Sequence, residues 1–253
     1  MTKTGMYLYC VIKEKDPKKF EILGQKGAKV YTFNQKDLAI VVSDSDTENF
    51  SFIREHLLTH QRVIEEIMGK GYDVLPVRFG TVAGSVDDVK KILNLERKKI
   101  LDGFRKVEGK VELGIRAFWK DMAGIFQEIV AENEKIQLAK KAASKNPTPL
   151  KIAGVGELIQ RAFSNKREEW AQMILEPLKK LSADFKEREL IKQSDPMKDN
   201  MIFSAAFLVA KEKEKEFDEK VQALAENQKE RMRLIYVGPI PPFNFVELHL
   251  KVL

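Results

Sequence analysis

The sequence predicts an α+β protein of two domains, of which the second is a modified ferredoxin-like fold with a long helical insertion. Residues 110–253 present their elements in the order strand, helix, strand, strand, helix, strand, which is the order of the ferredoxin-like fold. The chain has 253 residues, of which 43% are hydrophobic. That length and apolar content allow two cores of ordinary size.

Residues 1–84 are expected to form an N-terminal α+β domain. Alternation of apolar and polar residues predicts three strands, at residues 6–12, 29–33 and 38–43. Asp16 and Pro17 favour a short helix between the first two strands. Apolar residues at helical spacing predict a helix over 51–68, and an extended segment that contains Pro76 follows it.

The segment 85–109 is expected to be one helix that connects the two domains. Ser85 is a favourable N-cap, and Asp87 and Asp88 follow in the first turn, where the helix dipole favours acidic residues. An apolar stripe then runs without interruption to Val107.

Residues 110–253 are expected to form the C-terminal domain. Lys110–Trp119 alternates apolar and polar residues and predicts its first strand. A proline-interrupted helical insertion, two strands, a helix and a last strand follow, at residues 121–180, 181–193, 201–210, 211–227 and 231–238. The last strand is expected to stop near Gly238, because the prolines that follow cannot donate to a sheet ladder.

The charge pattern argues against a nucleic-acid protein. The net charge is +6, but 44 basic residues are set against 38 acidic ones, and the signs alternate along 211–216 as on a solvated helix. The strand at 201–210 is apolar on both faces, so we expect a covered sheet, unlike an open RNA-recognition platform. A nucleic-acid or small-ligand binding regulatory module on a ferredoxin-like scaffold is the alternative function.

The sequence contains no complete catalytic, cofactor or metal motif. His56 and His60 have the i, i+4 spacing of two metal ligands, but His249 is the only other histidine, so His60 is predicted to be a core or boundary residue. A lone Cys10 excludes an intrachain disulfide, and the longest apolar run is too short for a membrane span. We expect a cytoplasmic, monomeric protein that is not an enzyme and holds no cofactor or metal.

Several dispersed motifs resemble the gas-vesicle protein F and protein L family. In chain order they are Tyr7–Ile12, Pro76–Gly80, Lys110–Gly114, Phe217–Val221 and Gly238–Phe245. The resemblance implies a non-enzymatic accessory protein of gas-vesicle assembly that binds the small hydrophobic shell protein and other accessory proteins. It also implies structural or interface roles for residues of two of these motifs, namely Arg78, Phe79, Gly80, Gly238, Pro239, Pro242 and Asn244.

A surface for the shell protein is expected in the insertion between Asp121 and Lys180. Its amphipathic stripes exceed what one sheet face can cover, and exposed apolar patches mark interaction sites. The stripe residues are Ile125, Ile129, Ile136, Phe163, Trp170 and Ile174. Trp170 is therefore the candidate contact residue of this region.

Overall fold

The structure, a computed structural model, describes residues 5–46, 50–189 and 200–250. These parts of the chain form two sheets with helices packed on them, which confirms the mixed α+β class. The chain divides into two units. Unit 1 comprises Met1–Glu112 together with Gly238–Leu253, and unit 2 comprises Leu113–Val237.

Unit 1 is built on a sheet whose central strand is buried on both faces. Its strands are β1 (Gly5–Ile12), β2 (Lys19–Leu23), β3 (Lys29–Gln35), β4 (Leu38–Ser45), β5 (Leu75–Pro76) and β6 (Val82–Ala83). The order across the sheet is β2-β3-β4-β1-β5, β6 also pairs with β1, and these pairings are antiparallel. All eight residues of β1 are buried, as in a strand that is covered on both sides.

Three helices cover the sheet of unit 1. They are α1 (Arg54–Gly69), α2 (Val86–Leu95) and α3 (Arg97–Val107). α1 packs on β1 and β2, α2 packs on β3 and β4, and α3 packs on β5. The Ser85 hydroxyl accepts a hydrogen bond from the Asp88 N–H (3.1 Å), so Ser85 caps α2 as predicted.

The structure corrects the predicted domain boundaries. The segment 85–109 is two helices, because helical geometry is interrupted at Glu96 (φ −92°, ψ 5°), and both helices belong to unit 1. The apolar stripe continues across this break, and neither glycine nor proline marks it. Gly238–Leu253 also belongs to unit 1, since Leu248 there pairs with Val77.

The short helix expected after Asp16 is wrong, because β2 begins at Lys19. The Lys18 N–H donates to the Thr32 hydroxyl (2.8 Å), and the Thr32 N–H donates to the Lys18 carbonyl (2.9 Å). Pairing with β3 therefore outweighs the local preference for a helix N-terminus.

Unit 2 is organised on a four-stranded sheet with the order β10-β7-β9-β8. Its strands are β7 (Lys110–Trp119), β8 (Asp184–Glu187), β9 (Met201–Ala210) and β10 (Met232–Ile240). β7 and β10 share this sheet, as expected, while the ferredoxin-like assignment itself stays a prediction. β10 runs two residues past the predicted stop at Gly238, because proline is tolerated in an edge strand.

Among the described residues, unit 2 has the α-helices α4 (Met122–Glu132), α5 (Glu134–Lys145), α6 (Pro149–Lys179) and α7 (Glu214–Asn227). Side chains of Asp121, Asn133 and Thr148 cap the first three by accepting backbone N–H groups. Pro149 stands at the start of α6, where its missing N–H costs nothing. The helices α4, α5 and α6 pack against one another.

His60 is a core residue of unit 1, as predicted. Its Nε2–H donates to the Val77 carbonyl (3.1 Å), which leaves Nδ1 to accept from the Tyr7 hydroxyl (2.9 Å). The Tyr7 hydroxyl in turn accepts from the Gly80 N–H (3.1 Å). Burial lowers the pKa of His60 from 6.5 to about 4. A neutral imidazole thus holds the residues 77–80 against β1.

The C-terminal segment 241–250 returns to the same place in unit 1. The Arg78 N–H donates to the Leu248 carbonyl (3.1 Å), and the Leu248 N–H donates to the Pro76 carbonyl (2.9 Å). Phe243 packs against the buried cluster that contains Tyr7. Two motifs far apart in the sequence are therefore neighbours in the fold.

Asn244 satisfies a buried carboxylate. Glu112 is 1% exposed and accepts hydrogen bonds from the backbone N–H of Asn244 (2.8 Å) and from its side-chain amide. A buried carboxylate is costly unless it is hydrogen-bonded. The Glu112–Asn244 pair therefore fixes the C-terminal segment to the start of β7.

Unit 1 is expected to lose stability as the pH falls from about 6.5 to about 4, because in this window only the unfolded chain binds a proton at His60. At roughly 1.4 kcal/mol per pKa unit, the loss approaches about 3 kcal/mol at the acid end. His60→Gln keeps a donor and an acceptor but does not titrate, so this contribution should disappear. Hydrogen exchange of β1 amides in urea reports on unit 1. If the variant keeps the wild-type loss, other groups cause it.

Asn244→Ala is expected to destabilise unit 1 by about 1–3 kcal/mol, because it removes the side-chain amide hydrogen bond from a buried carboxylate, while the backbone N–H of residue 244 still donates. Adding Glu112→Gln should recover part of this loss, since a neutral side chain is less costly to bury. The exposed Glu247 of the same segment provides the control, for which alanine should change stability by less than about 0.5 kcal/mol. Urea unfolding monitored by the same hydrogen exchange tests all three. Equal effects of Asn244→Ala and Glu247→Ala would contradict the role of the pair.

Candidate functional site

An exposed apolar surface lies at the N-terminal end of α1. Phe52 is 74% exposed, and Ile53 and Leu57 are exposed as well. The Phe52 ring lies 5.1 Å from the ring of the partly buried Phe79. We call Phe52, Ile53, Leu57 and Phe79 the α1 apolar surface.

The surface exists because the apolar stripe of α1 extends beyond the elements that cover it. Ile53, Leu57, His60 and Ile64 follow at spacings that place them on one helix face. His60 and Ile64 are buried, whereas Ile53 and Leu57 are exposed. The sequence predicted the helix over 51–68 but not which part of its apolar stripe would be covered. Contiguous exposed apolar residues on a folded protein mark interaction sites.

The Pro76–Gly80 motif forms the corner beside this surface. The Phe79 ring packs edge-on against the His60 ring, with centroids 5.7 Å apart. Gly80 has φ 79°, a left-handed conformation that favours glycine. The Arg78 carbonyl accepts from the Thr81 N–H (3.3 Å) and from its hydroxyl (2.7 Å). The corner is thus held by its backbone and by Phe79.

The side chain of Arg78 is exposed on this corner. Among residues 5–46, 50–189 and 200–250, none forms an ion pair or a hydrogen bond with its guanidinium. Its charge is therefore available next to Phe79 and Phe52.

The residues of the C-terminal motif divide into two groups. Pro242 is buried and Asn244 is half-buried on Glu112, so both lie within the fold of unit 1. Gly238 and Pro239 are exposed at the end of β10 and are joined by a cis peptide bond. Pro242 and Asn244 belong to the segment that pairs beside Arg78. Gly238 and Pro239 do not.

The insertion does not expose the stripes that were expected to bind a partner. The stripe residues that are buried are Ile125, Ile129, Ile136, Phe163 and Ile174. Trp170 is half-buried, and the Arg231 guanidinium, itself paired with Glu128, lies 4.8 Å from its ring centre. These stripe residues are covered because α4, α5 and α6 pack on one another's apolar faces. Leu138, Leu150 and Ile152 of the same insertion remain exposed, so binding of the shell protein by the insertion stays a prediction.

His56, His60 and Cys10 serve the fold. Both ring nitrogens of His60 are used, and His56 Nδ1 lies 3.0 Å from the side-chain oxygen of Gln25. Burial raises the pKa of the Cys10 thiol. Throughout the described chain, no three His, Cys, Asp or Glu residues are grouped as metal ligands would be. Among the same residues, none of the helices combines the length and apolar content that a membrane span requires.

The chain is similar to gas vesicle proteins over nearly its whole length. A family model described as gas vesicle synthesis protein GvpL/GvpF matches residues 5–247. Gas vesicle protein F of Microcystis aeruginosa is 28% identical over 247 residues, which cover 96% of this chain and 98% of that protein. Gas vesicle protein L1 of Halobacterium salinarum is 23% identical, with 95% and 90% covered.

Two solved structures have the same fold. The crystal structure of gas vesicle protein GvpF from Microcystis aeruginosa has a TM-score of 0.81 at 26% identity, covering 96% of this chain and 99% of that chain. The GvpF structure from Anabaena sp. has a TM-score of 0.85 at 23% identity, covering 97% and 99%. As the resemblance of its dispersed motifs implied, the chain belongs to the GvpL/GvpF family of gas vesicle synthesis proteins.

Proposed function

We propose that this protein is a non-catalytic accessory protein of gas-vesicle assembly that binds the hydrophobic shell protein through the α1 apolar surface. Family membership supports the gas-vesicle role, since relatives of nearly the same length are named gas vesicle proteins. The observation that carries the binding site is the exposure of Phe52, 74%, in contact with the family motif at Phe79.

The chemistry of this surface suits an apolar partner. Covering an exposed Phe, Ile or Leu side chain contributes about 1.5–3 kcal/mol. Because association itself costs several kcal/mol, and Ile53 and Leu57 are already partly covered, a stable complex requires that the partner cover all three side chains at once. Arg78 stands at the edge of the surface and supplies the kind of polar rim that surrounds apolar contact regions. Binding should therefore be dominated by apolar contact.

The polar groups near the surface support a binding role without catalysis. His60 is held neutral between Tyr7 and Val77, and Glu112 is occupied by Asn244. Each of these hydrogen bonds fixes the corner that presents Phe79. We further propose that the protein works as a monomer in the cytoplasm, and that other accessory proteins bind elsewhere on its surface.

Phe52→Ser combined with Leu57→Ser is expected to weaken binding to the purified shell protein at least about tenfold, or about 1.4 kcal/mol. Leu95→Ser is the matched control, since Leu95 is an equally exposed apolar residue (72%) at the end of α2 in the same unit. The measurement is the fraction of shell protein kept soluble after dilution from denaturant. If the control loses as much activity as the double variant, the α1 apolar surface is not the binding site.

Binding of the wild-type protein is expected to survive about 0.5 M salt, because apolar contact is barely screened. A complete loss of binding in salt would show that the contact is electrostatic and that another surface is used.

Arg78→Ala is expected to leave the stability of unit 1 within about 0.5 kcal/mol of wild type, because its side chain is exposed and without a described partner. The same change should weaken shell-protein binding severalfold through loss of the rim contact. Urea unfolding and the solubility assay separate the two effects. Unfolding of the variant would instead make Arg78 a structural residue.

A further inference from the structure

The hairpin formed by α5 and α6 in unit 2 carries unbalanced positive charge at one end. Residues 135–156 contain five lysines and no acidic residue, the lysines being Lys135, Lys140, Lys141, Lys145 and Lys151. Within the parts of the chain that the structure describes, none of the five lies within ion-pair distance of a carboxylate. Elsewhere in the insertion the charges are balanced, since Lys166 pairs with Glu128 and Glu132. Lys151 Nζ donates to the Asn146 carbonyl (3.3 Å), but no carboxylate of the described residues neutralises any of the five lysines, so their charge is available to an acidic partner.

The first turns of α6 present an apolar strip that is not covered. Ile152, Gly156 and Ile159 precede Phe163 at intervals of four, three and four residues, so all four lie on one helix face. Phe163 is buried, whereas Ile152 is 60% exposed and Gly156 is exposed. The face that is buried further along α6 is therefore open at this end. We call Ile152, Gly156 and Ile159 the α6 strip.

The glycines of this helix are not explained by packing within the chain. Among the described residues, a Cβ atom at Gly154 or Gly156 would meet no atom within 4 Å beyond the backbone of its own helical turn. Glycine inside a helix is destabilising relative to alanine, and its usual benefit is the close approach of another backbone. At Gly156, on the open strip, there is room for the backbone of another molecule to approach closely.

We propose that this end of the hairpin binds an acidic amphipathic helix of a partner protein. The apolar side of that helix would pack against the α6 strip, with its backbone close to Gly156, and its Asp and Glu side chains would face the lysines. This site goes beyond the proposed shell-protein surface, which lies in unit 1, and does not depend on it.

A helix fits these residues better than a lipid surface or a nucleic acid. Residues 134–157 contain no aromatic residue and no arginine. Single-stranded nucleic acids stack on aromatic side chains, and a helix that lies on a membrane needs no close backbone approach, so the exposed Leu138 and Leu150 do not by themselves indicate lipid. Small residues that let backbones approach closely are instead typical of helix–helix contacts.

The test uses the full chain and a fluorescent synthetic peptide of leucine, alanine and glutamate, with leucine at helical spacing and glutamate on the flanks. Fluorescence anisotropy measures binding. Lys140→Gln, Lys141→Gln and Lys145→Gln together are expected to weaken it about tenfold. The matched control is Lys213→Gln, Lys215→Gln and Lys220→Gln at and within α7, which removes the same charge where lysines alternate with glutamates and should change affinity less than about twofold. If both triple variants lose the same affinity for the peptide, the loss is due to the change in net charge alone, and the proposal is overturned.

Gly156→Leu tests the fit of the strip. It adds apolar surface but blocks close approach, so binding of the peptide should weaken about tenfold while circular dichroism shows an unchanged helix content. Unchanged or tighter binding would mean general apolar adhesion and would also overturn the proposal.

The alternative partners are tested with vesicles of phosphatidylcholine and phosphatidylserine and with a random-sequence oligonucleotide. Neither should bind with the affinity of the peptide. If either binds more tightly than the peptide, and the first triple variant abolishes that binding, the site recognises lipid or nucleic acid instead. Phe52→Ser with Leu57→Ser should leave peptide binding unchanged, so failure of the shell-protein proposal can be told apart from failure of this one.

Discussion

The carboxylate of Glu112 is buried at the start of β7 and must find hydrogen-bond donors there. It finds them at Asn244, 132 positions later in the chain. This requirement holds the C-terminal segment in unit 1 and sets Leu248 beside Val77. The Val77 carbonyl also accepts the hydrogen bond of His60. The corner that presents Phe79 thus depends on a polar contact that is itself hidden from solvent.

Periodicity predicted the elements whose burial is regular along the chain. β1, β7 and β9 were found because alternating or continuous apolar residues record their covered faces. β2 was missed, since Asp16 and Pro17 favour a helix start locally and only pairing with β3 decides otherwise. The unit boundaries were missed for a related reason. The contact between Val77 and Leu248 leaves no pattern in either segment.

The candidate site was only partly visible in the sequence. The motifs identified Arg78–Gly80 and Asn244, but not that their segments are neighbours in unit 1. Exposure was harder to predict than position. The stripes of the insertion were expected to be open, and they cover one another, whereas Phe52 and Ile53 precede the first residue of α1 and remain uncovered. Whether an apolar side chain is exposed depends on tertiary packing that periodicity does not contain.

The division of the chain has a consequence for protein synthesis. Unit 2 is inserted between the two parts of unit 1, so the ribosome completes all of unit 2 before it makes Gly238–Leu253. Domains fold as units during synthesis, generally from the N-terminus onward. Unit 2 is continuous along the chain, whereas unit 1 is not, and until the last segment emerges Glu112 lacks Asn244 and Val77 lacks Leu248. The part of the protein that is made first is therefore the last to be finished.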